Sequence, residues 1–222
     1  AASLSMDDNE ISGGAYGIRL MHFGVGTFSM QRNQINGSTT APVFISLPNL
    51  GTDIFAGINA NQISTTALCS DITLDGSPKI DMTLSGGRYI SGSNLTVPLN
   101  KKLTLENSAV LRMKSSSNLI IYGDLILSGT QQSPVAVVSI YHASYGGSGV
   151  VYSSASWGLF VKSSGRVVGD WGEISGNCAS ANGAGGFSGF VGIVQEGDIQ
   201  LSHIRFDALH STLTSVSTQC VA

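Results

Sequence analysis

The chain has 222 residues, 42% hydrophobic and only 11% charged, with 28 Gly, 5 Pro and a net charge of −3. This supplies enough apolar material for a sizeable core and is the reverse of the composition of disordered chains. The eleven Lys and Arg are scattered and give no electrostatic footprint for nucleic acid, and no apolar run approaches the roughly 18 residues that membrane insertion as a helix needs.

The chain opens at Ala1 with neither Met nor a basic segment, which reads as a removed leader or an excerpt of a longer protein. Helical periodicity is absent, while short alternating runs are frequent. Residues 5–12 read SMDDNEIS, 29–36 SMQRNQIN and 57–64 GINANQIS, so Asn9, Asn33 and Asn61 are spaced by 24 and then 28 residues, with Ile11, Ile35 and Ile63 in step. Recurrence at such a period points to stacked repeats. The expectation is that the three Ile stack in a shared interior layer. The three Asn then align at a turn, their amides hydrogen-bonding along the stack to replace water lost on burial. Asp7, Asp8 and Glu10 form the densest acidic group, and on an alternating segment Asp8 and Glu10 share a face. A weak Ca²⁺ site is the functional reading there and a solvated turn the plainer one, since the next repeat carries Gln31, Arg32 and Gln34 instead.

Further along, Ile18 with Leu20, then Val43, Ile45 and Leu47, then Ile72 with Leu74 alternate, each run closed by Gly, Asn, Asp or Ser. Residues 84–135 add a second signal. Tyr89, Asn94 to Pro98 (NLTVP), Leu103 to Leu105 (LTL), Asn118 to Leu127, Gly129-Thr130 and Pro134-Val135 follow one another in order, and Trp157-Gly158 comes next. In these landmarks the chain resembles a large family of secreted bacterial right-handed parallel β-helix proteins. Glu106-Asn107-Ser108 departs from the family's usual Pro-Gly turn. The resemblance implies architecture more than activity, because the solenoid serves adhesins, surface-layer proteins, phage tail fibres and polysaccharide-cleaving enzymes. In that family the Tyr89 to Pro98 pattern starts a β-helix, so residues 1–78 read as late coils of one stack and 79–222 as the start of a second, with a junction near Gly76-Ser77-Pro78.

Tyr141, Tyr145, Tyr152, Trp157 and Trp171 fall in a Gly- and Ser-rich stretch from 139 to 172, with a second Gly-rich stretch at 177–192. Tyr145, Tyr152, Trp157 and Trp171 are the candidate stacking platform for sugars; the plainer reading is that they fill coil interiors. In Ser202-His203-Ile204-Arg205-Phe206-Asp207, period-2 geometry places Ile204 and Phe206 inside and His203, Arg205 and Asp207 outside in one row. That row could bind an acidic sugar or move protons, or be an ordinary polar strand face, which is preferred. Cys69, Cys178 and Cys220 lack metal-ligand spacing; one bridge and one buried thiol would fit, with no pair favoured.

The expected fold is all-β: a right-handed parallel β-helix, or β-solenoid, of two stacked pieces. The expected role is a non-catalytic extracellular or cell-surface segment of an adhesin, fibre or sheath. It would act in structure, in self-association with neighbouring solenoid segments, or in attachment to surface polysaccharide. No cofactor is expected apart from the weak Ca²⁺ reading. The alternatives are a polysaccharide lyase or glycoside hydrolase using His203, Arg205 and Asp207, and a phage tailspike-like receptor-binding segment.

Overall fold

The structure is a computed structural model describing residues 2–59, 62–64, 72–147, 157–175, 179–180, 190–191 and 193–207. Among these residues there is no α-helix, and so no helix long and apolar enough to cross a membrane. The chain opens with three strands, β1 (Ala2–Ser5), β2 (Glu10–Ser12) and β3 (Tyr16–Leu20). A second set, β4 (Gly26–Gln31), β5 (Gln34–Asn36) and β6 (Ala41–Ser46), pairs with the first strand for strand and in parallel. A third set, β7 (Ile58–Asn59), β8 (Gln62–Ser64) and β9 (Ile72–Asp75), extends the same three sheets.

Beyond residue 75 the sets continue with β10 (Met82–Ser85), β11 (Arg88–Ser91) and β12 (Leu95–Val97). Then come β13 (Lys102–Glu106), β14 (Val110–Met113) and β15 (Asn118–Ile121), followed by β16 (Asp124–Ser128), β17 (Val135–Ser139) and β18 (Gly158–Val161). The described chain closes with β19 (Arg166–Ser175), β20 (Ala179–Ser180), β21 (Phe190–Val191), β22 (Ile193–Gln195) and β23 (Asp198–Asp207). Except for the short antiparallel pair β20–β21, every strand pairing is parallel. The architecture is therefore mostly β with large parallel sheets, compatible with a parallel β-solenoid.

Parallel pairing in register puts like positions of successive sets on top of one another, one strand spacing apart, about 4.8 Å. The longest ladder runs Ile18, Val43, Ile72, Tyr89, Leu111, Val137, Ile174 and Phe206. Others run Leu95, Leu119, Leu159, Ile193, and Met82, Leu103, Leu125, Val167, Ile199. The alternation of KLTLE and DLILS is what builds them: Leu103, Leu105, Leu125 and Leu127 point in and are buried, and Thr104 and Ile126 point out. Each such interior Leu contributes about 1.5–3 kcal/mol on burial.

Sheet organisation changes between residues 64 and 95. The sheets β1-β4-β7 and β2-β5-β8 end there and β12-β15-β18-β22 begins, while the sheet containing β3 runs across the change through β11, β14 and β17 to β19, which joins it to the new row β10-β13-β16. Asp53 ties the two regions together by accepting the backbone N–H of Phe55 on Oδ1 and that of Thr83 on Oδ2, and Phe55 packs edge-on against Tyr89 at 5.9 Å.

A glycine column marks the turns entering β16, β19 and β23. A Cβ on Gly123 would lie 2.1 Å from the Lys101 carbonyl oxygen, on Gly165 2.1 Å from that of Ile121, and on Gly197 2.2 Å from that of Gly165. Successive turns touch backbone to backbone here, so a side chain has no room.

Candidate functional site

Of the residues singled out by sequence, Trp171 and His203 meet at the bend of β19 and β23. Both strands turn a corner without breaking, and the corner residues, Trp171 and His203, carry φ of 51° and 53°. Gly86 and Asn107, at the turns preceding β11 and β14, have φ of 48° and 51°. Gly and Asn adopt this left-handed conformation cheaply; Trp is a true outlier there. The register pairs Asp170 with Ser202 and Gly172 with Ile204, so Trp171 and His203 sit one above the other, and their rings stack at 4.2 Å and 5°. Asp170 Oδ1 lies 2.8 Å from His203 Nδ1, and both side chains are more than half exposed.

One step past the bend lies a second polar group, now sheltered. The outer face of β14, β17 and β19 carries Val110, Arg112, Ala136 and Val138, all buried, with the 140–147 loop over it and Tyr145 packed on the apolar part. Tyr145 donates its hydroxyl to Glu173 Oε2 at 3.1 Å. His142 Nε2 stands 2.9 Å from Glu173 Oε1, out of line for a hydrogen bond, and His142 Nδ1 has no hydrogen-bond partner. Burial, reinforced by the Glu173 charge, pushes the Tyr145 phenol up to about 12. Arg112 donates to the Ile140 carbonyl, anchoring the loop's start.

Several expectations need correction. His203, Arg205 and Asp207 do not form one outward row. The left-handed turn at His203 interrupts the alternation, so Leu201 and Ile204, three apart, both pack on the core. His203 belongs to the corner with Asp170, whereas Arg205 pairs in register with Glu173 beyond it; Asp207 ends β23, and its side chain lies outside the described residues. Ile204 and Phe206 do follow the interior positions Gly172 and Ile174 of β19, as expected, with Phe206 41% exposed on the last described strand. Trp157 is fully buried and donates its indole N–H to the Ser175 carbonyl at 3.1 Å, so it fills the interior and offers no face to a ligand. Tyr145 is spoken for by Glu173. Tyr152 and all three cysteines lie outside the described residues.

At the acidic N-terminal group, Arg32 grips Asp8 with two hydrogen bonds of 2.6 Å, one to each carboxylate oxygen, leaving Asp8 ill placed to share a cation with the exposed Glu10. That contact holds the Asp8 carboxyl below its usual value. Asp7 is held low chiefly by the Ser29 and Ser5 hydroxyls. No group of three His, Cys, Asp or Glu able to hold a metal occurs among the described residues.

The repeat residues lie as follows. Asn33 is fully buried, its Oδ1 accepting both the Asn9 backbone N–H and Asn9 Nδ2 at 3.0 Å, and its Nδ2 donating to the Met6 carbonyl at 2.6 Å. Ile11, Ile35 and Ile63 are register partners, with Ile35 fully buried; Asn61 lies outside the described residues. Sequence reasoning missed His142 and Glu173, which are 31 residues apart and belong to no motif. The glycine column was legible in YGD, SGR and EGD, each following a strand.

No family model, curated protein or solved structure matches the chain.

Proposed function

We propose that the chain is a right-handed parallel β-solenoid segment, two stacked pieces meeting near residue 78, that works without catalysis as a stiff part of an extracellular adhesin, fibre or sheath. Its outer corners are where it contacts neighbouring segments or surface glycans. The single observation that carries this is the in-register ladder from Ile18 to Phe206, which spans the described chain with aliphatic and aromatic side chains alone. Such a stack resists bending, and its low charge and polar outer strands suit many weak lateral contacts. The half-buried Trp171 stacked on the exposed His203 is the contact point this reading favours: a bulky aromatic held in a costly backbone conformation at an outer corner points to a use outside the fold.

A lyase or glycosidase reading fits less well. Glycoside hydrolysis needs an acid and a second carboxylate facing an open cleft, whereas Glu173 is buried under Tyr145 and Asp170 is engaged by His203. The test is in two parts. Small-angle scattering should give a rod of constant cross-section, and incubation with acidic and neutral polysaccharides should release nothing. New reducing ends or unsaturated sugars would overturn the non-catalytic reading, and a defined trimer would favour a tailspike-like spike.

A further inference from the structure

A concave site lies away from the bend, on the turns that lead into β13, β16 and β19. Four residues, 98–101, join β12 to β13, and four, 162–165, join β18 to β19, but only Tyr122 and Gly123 join β15 to β16. The middle turn is thus recessed between two longer ones. Because the glycine column keeps the turns in backbone contact, the missing length appears as a notch rather than being closed by side chains. The notch has a volume of about 320 Å³, near the lower end of small-molecule sites.

Its lining is chemically mixed. Tyr122 and Leu99, 41% and 58% exposed, supply apolar surface that is otherwise unexplained on the outside of the stack. Two carboxylates are present but engaged: Asp81 Oδ1 accepts the Lys102 backbone N–H at 2.9 Å, and Asp124 is paired with Arg166 at 3.2 Å. Lys101 and Lys102 also line the notch, and neither side chain has a hydrogen-bond or ion-pair partner among the described residues. With Asp124 neutralised by Arg166 and Asp81 bonded only to a backbone N–H, what is left over for a ligand is one aromatic face and one net positive charge from the two lysines.

We propose that this notch binds a saccharide unit bearing a carboxylate, its ring against Tyr122 and its anionic group toward Lys101 and Lys102. A pyranose presents an apolar face of C–H groups that suits an aromatic ring, and its single carboxylate balances the net positive charge of the lining. A neutral sugar leaves that net positive charge uncompensated; a bare inorganic anion leaves Tyr122 and Leu99 unused. The site depends only on local turn geometry, so it stands or falls independently of the spacer role.

The probes are cellobiouronate and cellobiose, which differ by one carboxylate, titrated into the whole chain and followed by amide and Tyr ring chemical shifts. Cellobiouronate is expected to move the resonances of residues 99–102 and 122–124 with millimolar affinity, to bind at least about fivefold more tightly than cellobiose, and to weaken as salt rises. Tyr122→Ala should weaken binding about tenfold while Tyr122→Phe retains it, and Lys101→Ala with Lys102→Ala should erase the preference over cellobiose. Equal binding of the two sugars, shifts elsewhere on the chain, or no shifts with either sugar would each overturn the proposal. An unchanged unfolding temperature in the variants shows that the loss is one of binding rather than of fold.

Discussion

Asn33→Ala is the most direct probe of how buried turns are held. The substitution removes the acceptor of the Asn9 backbone N–H and of Asn9 Nδ2, and the donor to the Met6 carbonyl, from a position with no solvent exposure. Two backbone groups lose these partners in partly buried surroundings. At about 1–2 kcal/mol each, allowing for some water reaching them, the expected loss is about 2–4 kcal/mol. Asn9→Ala is the internal control, because Asn9 is exposed and its removal leaves Asn33 able to accept the Asn9 backbone N–H; its cost should stay below about 1 kcal/mol. Urea unfolding followed by circular dichroism gives the global values. Hydrogen exchange at the Gln34 amide, which donates to the Asn9 carbonyl, reports the local ones. A loss for Asn33→Ala within about 0.5 kcal/mol of wild type, or one no larger than for Asn9→Ala, would refute the reasoning.

Three further expectations bear on packing and titration. Gly165→Ala should cost at least about 2 kcal/mol in thermal or urea unfolding, because its Cβ would meet the Ile121 carbonyl oxygen, whereas Gly24→Ala, with open space around it, should stay within about 0.5 kcal/mol. Leu105→Ala, emptying a fully buried ladder position, should cost about 2–5 kcal/mol by the same assay. Burial, with a smaller push from the Asp53 charge, raises the Tyr89 phenol from 10 to about 12. The folded state therefore keeps that proton more firmly, and its contribution is complete below pH 10 and disappears as pH climbs through 12. The loss from this ring is on the order of 2–3 kcal/mol. Tyr89→Phe, which also gives up the hydroxyl's bonds to the Ser85 and Gly86 carbonyls, should be less stable at neutral pH yet show a shallower alkaline decline. A wild-type-like decline in the variant would count against this account.

What could be read in advance followed from local chemistry repeated at a fixed interval. Strand alternation in LTL and LIL places Leu103, Leu105, Leu125 and Leu127 without reference to anything distant. The return of Asn-x-Ile identifies residues that the register then pairs, Ile11 with Ile35 and Ile35 with Ile63. The bend at His203 was not legible, because a single left-handed residue leaves the hydrophobic pattern almost unchanged while rotating every later side chain relative to those before it. Trp157 was ambiguous for a related reason: a large aromatic in a Gly- and Ser-rich stretch serves a core or a surface equally well, and only the contact with Ser175 decides. The notch beside Tyr122 arises from the difference between neighbouring turn lengths, which no single segment carries.

The uninterrupted sheet from β3 to β23 also sets how the molecule meets mechanical load. Its inter-strand hydrogen bonds point from one set to the next, so tension applied across the stack is shared by many bonds, whereas tension along it reaches them in series. Lengthwise pulling should then strip the structure from an end, one set of strands per event, in a sawtooth whose steps vary with the length of chain in each set, while a sideways pull of similar size leaves it intact.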